Sequence, residues 1–412
     1  MHIYIKICVR ASAYRLKGII DDCSCSVETI DSFNNLKIYP RLKSILIKDY
    51  FKYWKVPEGI MLEKRHHLHN FLKYQEAENS RVLEADCDKE GDLGYLNTTI
   101  SKESMADFER WAAHDSAKDD SFCYSDDETD QRSRYVDLLL NPERYTGYAG
   151  AFSASCVEGL FIKKIVSSKP SESSAAFPEF SNIGEMCLEK RTFYRAISGL
   201  HSSINIHLCS QYLLSERDIF ENNPEGVWGY NLEEFQRRFD PELTNDAGPN
   251  RLKNLYFLYL VELKAIAKLG PYLKTISFYT GNDEKDHELK FAISDLVSVV
   301  DSFPNHFDEG LLFLQNSQGP NLKTEFRDHF RNISRIMDCV GCDKCRLWGK
   351  LQVTGLGTAL KVLFSGKFDS PLNVKKMNFS LTRNEIVALF NAFGRLSNSI
   401  ANLETFRQRL KT

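Results

Sequence analysis

No apolar run in this 412-residue chain approaches the roughly 18 residues that a membrane-crossing helix needs. The nearest, Leu255 to Leu260, is soon interrupted by Glu262 and Lys264, and a core helix is its expected use. There is little imbalance of charge. The 53 basic and 56 acidic residues leave a net charge of −3, which argues against a dominant nucleic-acid face. No internal repeat is visible. The first ten residues, Met1 to Arg10, place Lys6 among the apolar positions and offer no clear cleavage site, so they make a poor signal peptide. The C-terminal Arg409-Leu410-Lys411-Thr412 is not a retrieval tetrapeptide. A dinucleotide-binding fingerprint is also missing. Gly355-x-Gly357 is followed by Leu360 where a third glycine belongs, with no strand pattern ahead of it. Close helix packing is the expected use of these glycines.

What is present is the balance of an ordinary soluble globular protein, 42% apolar and 26% charged. The length allows one to three domains. Eleven cysteines are more than average and odd in number, so at least one is free or paired outside the chain. Asn97, Asn332 and Asn378 begin glycosylation sequons, which matter only in a secretory compartment.

The N-terminal third is rich in polar residues and turn formers. Asp115 to Gln131 and Val166 to Ser174 read as loops, since little in them can be buried. From about Gly184 the pattern turns helical. Leu188 to Leu214 carries apolar residues three and four apart. Arg251 to Leu269 repeats them so densely that a helix buried on most sides is expected. Thr382-x-x-Glu385 is a capping box. The stripe Ile386, Leu389, Phe390, Phe393, Leu396, Ile400, Leu403, Phe406 and Leu410 behind it is the buried face of a last helix. A mainly α, single-domain helical bundle over 1–412 follows, with few short strands and long N-terminal loops: a loop-rich part to residue 135 and a helical core over 136–412.

The densest chemistry lies in Asp338-Cys339-Val340-Gly341-Cys342-Asp343-Lys344-Cys345-Arg346. On a helix the three sulfurs fall near one face. Cys342-x-x-Cys345 at a helix start favours thiolate, because the dipole, Lys344 and Arg346 all stabilise negative sulfur. Thiolate is the nucleophile of disulfide exchange, so dithiol–disulfide redox chemistry is the leading reading. Structural zinc, with His329 or a distant cysteine completing the set, an iron–sulfur run and inert buried thiols stay open on spacing alone.

The stretch from Cys339 through Trp348-Gly349-Lys350-Leu351-Gln352 to Gly355-Leu356-Gly357 resembles the active-site signature of the endoplasmic reticulum oxidoreductin family. Asn141-Pro142-Glu143-Arg144-Tyr145-Thr146-Gly147-Tyr148 and Arg191 to His201 resemble the family's flavin-binding segments. Glu234 to Asp240, Gly248 to Tyr256 and Asp21 to Asp31 resemble further family blocks. The resemblance runs with gaps from Ile20 to Leu410.

It implies a helical fold enclosing FAD, on the lumenal side of the endoplasmic reticulum, where peripheral association with the membrane is compatible. Cys342 and Cys345 would form the active disulfide. Electrons would pass from reduced protein disulfide isomerase to that pair, then to FAD, then to O₂. The implied flavin contacts are Arg144, Thr146, Ser198, His201, Arg238 and Arg251, and the implied structural disulfide is Cys156 with Cys187. The chemistry of the residues agrees with this. Arginines offer forked hydrogen bonds to a pyrophosphate, and Ser198 and His201 share a helix face. No metal is implied.

The chain departs from the family in three places. Members carry a shuttle pair spaced Cys-x₄-Cys, but no cysteine lies between Cys25 and Cys87 here. Thiol exchange needs sulfur-to-sulfur contact, so an inner pair without its relay should meet protein substrates slowly. A family tryptophan expected after Tyr148 is absent, and Phe152 is only a partial substitute. Two cysteines ahead of Cys23 and Cys25 are also absent, and Cys8 and Cys209 match none of the family's. The alternative reading is therefore a catalytically impaired relative acting as a binding or regulatory protein.

Overall fold

The computed structural model describes residues 26–57, 123, 133–139, 188–215, 227–304, 319–338, 343–365 and 379–411. These residues form ten α-helices, a π turn and two two-stranded antiparallel sheets. In chain order they are α1 (Val27–Phe33), the π turn (Asn34–Ile38), α2 (Tyr39–Leu46), α3 (Asp49–Lys52), β1 (Tyr53–Pro57), β2 (Ser133–Asp137), α4 (Leu188–Ser210), β3 (Tyr212–Ser215), β4 (Val227–Gly229), α5 (Leu232–Phe239), α6 (Ala247–Thr275), α7 (Asp283–Asp301), α8 (Gly319–Asp338), α9 (Asp343–Leu363) and α10 (Arg383–Arg409). The mainly helical architecture matches the expectation. The 115–131 loop (Cys123 apart) and the 166–174 loop lie outside the described residues.

Helix α10 is the hub. The Thr382 hydroxyl accepts from the Glu385 amide and the Glu385 carboxylate accepts from the Thr382 amide, so two orphan donors at the helix start are satisfied reciprocally. The same carboxylate takes a 2.6 Å bond from Lys361 of α9, which ties the start of α10 to the end of α9. Every residue of the expected stripe from Ile386 to Phe406 is buried. Gly355 of α9 lets the two helices close: a Cβ there would stand 2.5 Å from the Ala388 carbonyl oxygen. The glycine serves packing, as expected.

Helix α6 is buried on almost every side from Leu252 to Leu263 and packs between α4, α9, α7 and α10. Its density of apolar residues has this cause, since a helix surrounded by helices has no face left for solvent. The helix expected over Leu188–Leu214 stops at Ser210. Tyr212 to Ser215 leave it for a strand paired with β4, Tyr212 opposite Gly229. Three-residue spacing cannot reveal that switch, because strand pairing depends on a partner distant in sequence.

Residues 27–52 fall inside the part expected to be loop-rich and are helical. Their segments are short, and distant partners hold them. Asn34, fully buried in the π turn, donates to the Ser397 carbonyl and accepts from its hydroxyl at 3.0 and 2.6 Å. Asp31 pairs with Arg407 at 2.6 Å. Arg41, Lys48 and Asp49 pair with Asp295, Glu288 and Lys285 of α7. Among the described residues no helix is long and apolar enough to cross a membrane.

Candidate functional site

Four of the six expected flavin contacts are described, and they meet where α4, α5 and α6 join. The connection between α5 and α6 sets their spacing. Asn231 caps α5 by accepting from the Glu234 amide at 2.8 Å, while its own amide donates to the Cys209 carbonyl at the end of α4. Acidic residues open α5 and Arg237 and Arg238 close it, the order the helix dipole favours. Asp240 then accepts from the amides of Glu242 and Leu243. Thr244 bonds back to Asp240 and accepts from the Gly248 amide. At Gly248 the Phe239 main chain lies so near that a Cβ would overlap it. This tight reversal brings the end of α5 against the start of α6.

Arg251, near the start of α6, therefore donates to the main-chain carbonyl of Arg238 at 3.0 Å. Arg238 is held by Glu234 at 2.6 Å and by the Asn205 side chain of α4. Glu234 also binds Arg237 at 2.6 Å, and these partners hold its carboxyl below the usual range, the hydrogen bond from Arg237 most of all. Arg251 meets no carboxylate among the described residues. Burial first, then the neighbouring Arg238, lowers its pKa. On α4 the Ser198 hydroxyl accepts from Asn254 of α6 at 3.0 Å, and Ser202 donates to the carbonyls of Ser198 and Arg251. His201 is accessible, yet burial and then Arg251 push its imidazole below the ordinary value. Beside it stand the guanidiniums of Arg251 and Arg238 and the first turn of α6, which carries no acidic residue. Such a grouping suits an anion.

Cys342 lies outside the described residues, as do Arg144, Thr146, Cys156 and Cys187. Cys345 has its main chain in α9, which is described from Asp343 onward. Guanidinium Arg395 of α10 sits 5.4 Å from the Trp348 ring of α9. One turn along α10, Ser399 is 2.8 Å from Ser203 of α4. The first turns of α9 and the middle of α4, with Ser198 and His201, thus pack on one stretch of α10. Helix α8 closes the group, with Phe326, His329 and Phe330 all packed on Phe193 of α4. His329, which a zinc alternative would enlist, lies tilted against that ring with centroids 4.9 Å apart. No group of three metal-ligating side chains occurs among the described residues.

Two polar groups on α9 are anomalous. The Trp348 indole nitrogen and both side-chain amide atoms of Gln352 are buried with no hydrogen-bond partner. Buried polar atoms are nearly always paired. Sequence reasoning assigned no role to either residue, or to Asn205, Glu234 and Asn254, which orient the arginines and the serine. Presence in the quoted blocks was the available signal for all of them except Asn205, which lies outside those blocks. Cys123 and Cys209 are both buried, and burial pushes each thiol up to about 12. Neither is a ready nucleophile.

The family model described as Endoplasmic Reticulum Oxidoreductin 1 matches residues 37–403. The chain belongs to the endoplasmic reticulum oxidoreductin family. Ero1-like protein of Drosophila melanogaster is 47% identical over 438 residues, covering 95% of this chain and 89% of the fly protein. ERO1-like protein alpha of Homo sapiens is 43% identical over 445 residues, covering 96% and 92%. The solved structure of Ero1p, titled as the source of disulfide bonds for oxidative protein folding in the cell, superposes with a TM-score of 0.59 at 29% identity, over 93% of this chain and 98% of that one. A double-cysteine variant of Ero1p from S. cerevisiae gives 0.58 at 27% identity, over 93% and 97%. As a member of the oxidoreductin family the chain is an oxidoreductase of disulfide formation in oxidative protein folding.

Proposed function

We propose that this oxidoreductin is an FAD-dependent thiol oxidase that oxidises protein disulfide isomerase in the lumen of the endoplasmic reticulum and passes the electrons to O₂. The observation that carries the reading is the join of α4, α5 and α6, where Arg238, Arg251, Ser198 and His201 meet. Two adjacent guanidiniums answer a pyrophosphate, and the unpaired atoms of Trp348 and Gln352 mark a second polar locus on the helix that carries Cys345. Arg144 and Thr146 would complete the set. Both donor sets fit a flavin dinucleotide, which has an anionic middle and a polar ring edge. When bound, FAD supplies a two-electron acceptor that O₂ can reoxidise.

The protein's own share is exchange and orientation. A thiolate of the Cys342–Cys345 pair, favoured by the start of α9 and by Lys344 and Arg346, is set free when a partner dithiol attacks the disulfide. The partner leaves oxidised and the pair is left as two thiols. Two electrons and two protons then depart as the Cys342–Cys345 bond re-forms, and reach O₂ as H₂O₂. Glu234 and Asn205 hold Arg238 in place, and Asn254 does the same for Ser198. An absorbance spectrum of the purified protein, with and without dithiothreitol, tests the reading. A flavin spectrum that bleaches with dithiol and recovers in air is expected, with oxygen consumption abolished by Cys342→Ser. A folded, colourless protein would sink it.

The absence of any cysteine between Cys25 and Cys87 favours a second reading, an impaired relative with a binding or regulatory role. Oxidation of small dithiols and of reduced isomerase at comparable rates contradicts it. Bound FAD with neither substrate oxidised supports it.

A further inference from the structure

Gln352 is buried to 2% exposure, and neither its amide oxygen nor its amide nitrogen has a partner. Trp348, one turn earlier, has a buried and unpartnered indole nitrogen. Packing contacts fix where this face of α9 points. Gly349 lies against Met337 of α8, and Gly355 lies against Ala388 and Ala392 of α10. At about 100° per residue, Gln352 falls between those directions, about 20° from the azimuth of Cys345, and Trp348 about 60° from it. The side of α9 that lies between α8 and α10 looks toward α4, which touches both of those helices. The seven residues from Cys345 to Gln352 rise about 10.5 Å. Helical side chains lean toward the N-terminus, which brings the carboxamide back by about one turn toward the cysteine.

Resting on the flavin reading above, we propose that Gln352 is a flavin-binding residue that holds the imide edge of the isoalloxazine ring. That edge presents one N–H donor flanked by two carbonyl oxygens. A carboxamide presents a donor and an acceptor side by side in one plane, as when Gln reads adenine with two bonds. The electron-accepting position of the ring adjoins the same edge, so a ring gripped there has its reactive side toward the first turn of α9. The indole nitrogen of Trp348 adds a donor on the same side. An apolar helix face would do for packing alone, and Leu351 and Val353 on either side of Gln352 are buried hydrocarbon.

The test uses the full chain and three measurements that do not depend on turnover: FAD dissociation, the visible spectrum and the flavin potential by anaerobic titration. Gln352→Leu, of similar volume, is expected to raise the FAD dissociation constant about tenfold, to shift the flavin bands, and to move the potential by about 30 mV, the two-electron equivalent of a tenfold change. Wild-type protein refilled with N3-methyl FAD, which lacks the imide donor, is expected to lose affinity by a similar factor, and Gln352→Leu to lose none further. That second arm needs no folded variant, so it decides the matter if the substitution does not fold. Unchanged affinity, spectrum and potential in Gln352→Leu, or wild-type protein indifferent to N3-methylation, would overturn the role of Gln352 and leave the oxidase reading standing. Wild-type protein that takes up no FAD removes both.

Discussion

The guanidinium of Arg251 donates to the main-chain carbonyl of Arg238 at 3.0 Å, so two cations from successive helices are held together by a backbone bond. Glu234 pairs with Arg238 and Arg237 but not with Arg251. If the excess charge serves a pyrophosphate, the planar fork of Arg251 matters beyond its charge. Arg251→Lys is expected to keep the fold and lose FAD about tenfold, since a point charge cannot replace two directed bonds. The ratio of flavin to protein absorbance after gel filtration measures this, and a ratio equal to wild type would refute it.

The approach of α5 to α6 depends on Gly248. A methyl group there would overlap the carbonyl, carbon and Cα of Phe239, and all three are backbone atoms that cannot swing aside. Gly248→Ala should therefore cost about 1–3 kcal/mol, the range for forced overpacking, and separate Arg238 from Arg251. Urea melts should show the lower midpoint, and FAD binding should weaken with it. Loss of stability with undiminished FAD affinity would show that the spacing of the two arginines is not critical.

The helices that carry the site were legible where their own sequence was enough. The Thr382 capping box and the nine-residue stripe behind it placed α10, and the density of apolar residues placed α6. What the letters could not carry was any feature made by distant partners. Residues 27–52 are short helices stabilised by α7 and α10, and Leu213 left the helical pattern because it met Trp228 across a ladder. Ser198 and Arg251 could be named from a familiar block, but Asn254, Asn205 and Gln352 gain meaning only when their partners, or the lack of them, are seen.

Asp31, Tyr256 and Arg407 bond to one another: Arg407 donates to the Asp31 carboxylate at 2.6 Å and to the Tyr256 hydroxyl at 2.9 Å, and that hydroxyl donates to Asp31 at 2.5 Å, while Arg407 also reaches Glu404 at 3.6 Å. Burial raises the Asp31 pKa while Arg407 works against it. Arg407→Ala would strand that carboxyl and should cost about 3–5 kcal/mol, the range for breaking a buried pair. Replacing all three with apolar residues of like volume (Arg407→Met, Asp31→Leu, Tyr256→Phe) should recover most of the loss. Denaturation midpoints of the two proteins decide it, and a triple variant as unstable as Arg407→Ala would mean that the group's contribution is more than charge compensation.

Glu262 is fully buried in α6 with neither carboxylate oxygen partnered, and burial alone raises its pKa well above the ordinary 4.5. The folded protein therefore keeps a proton there that the unfolded chain releases. A group whose folded pKa is raised contributes fully below the unfolded value and loses that contribution as pH rises toward the folded one. Above pH 4.5 the wild type should lose about 1.4 kcal/mol per pH unit from this residue, until the folded group itself ionises. Glu262→Gln keeps the shape of the neutral acid and has nothing to titrate. The stability difference between variant and wild type should thus be small near pH 4.5 and grow in favour of the variant toward neutral pH. His207 acts in the other direction: burial pushes its imidazole down to about 4, so its penalty appears only as pH falls below about 6.5 and is common to both proteins. Urea melts from pH 4.5 to pH 8 separate the two. A constant difference across that range would mean that Glu262 is ionised in the folded protein and that its carboxylate has found a partner.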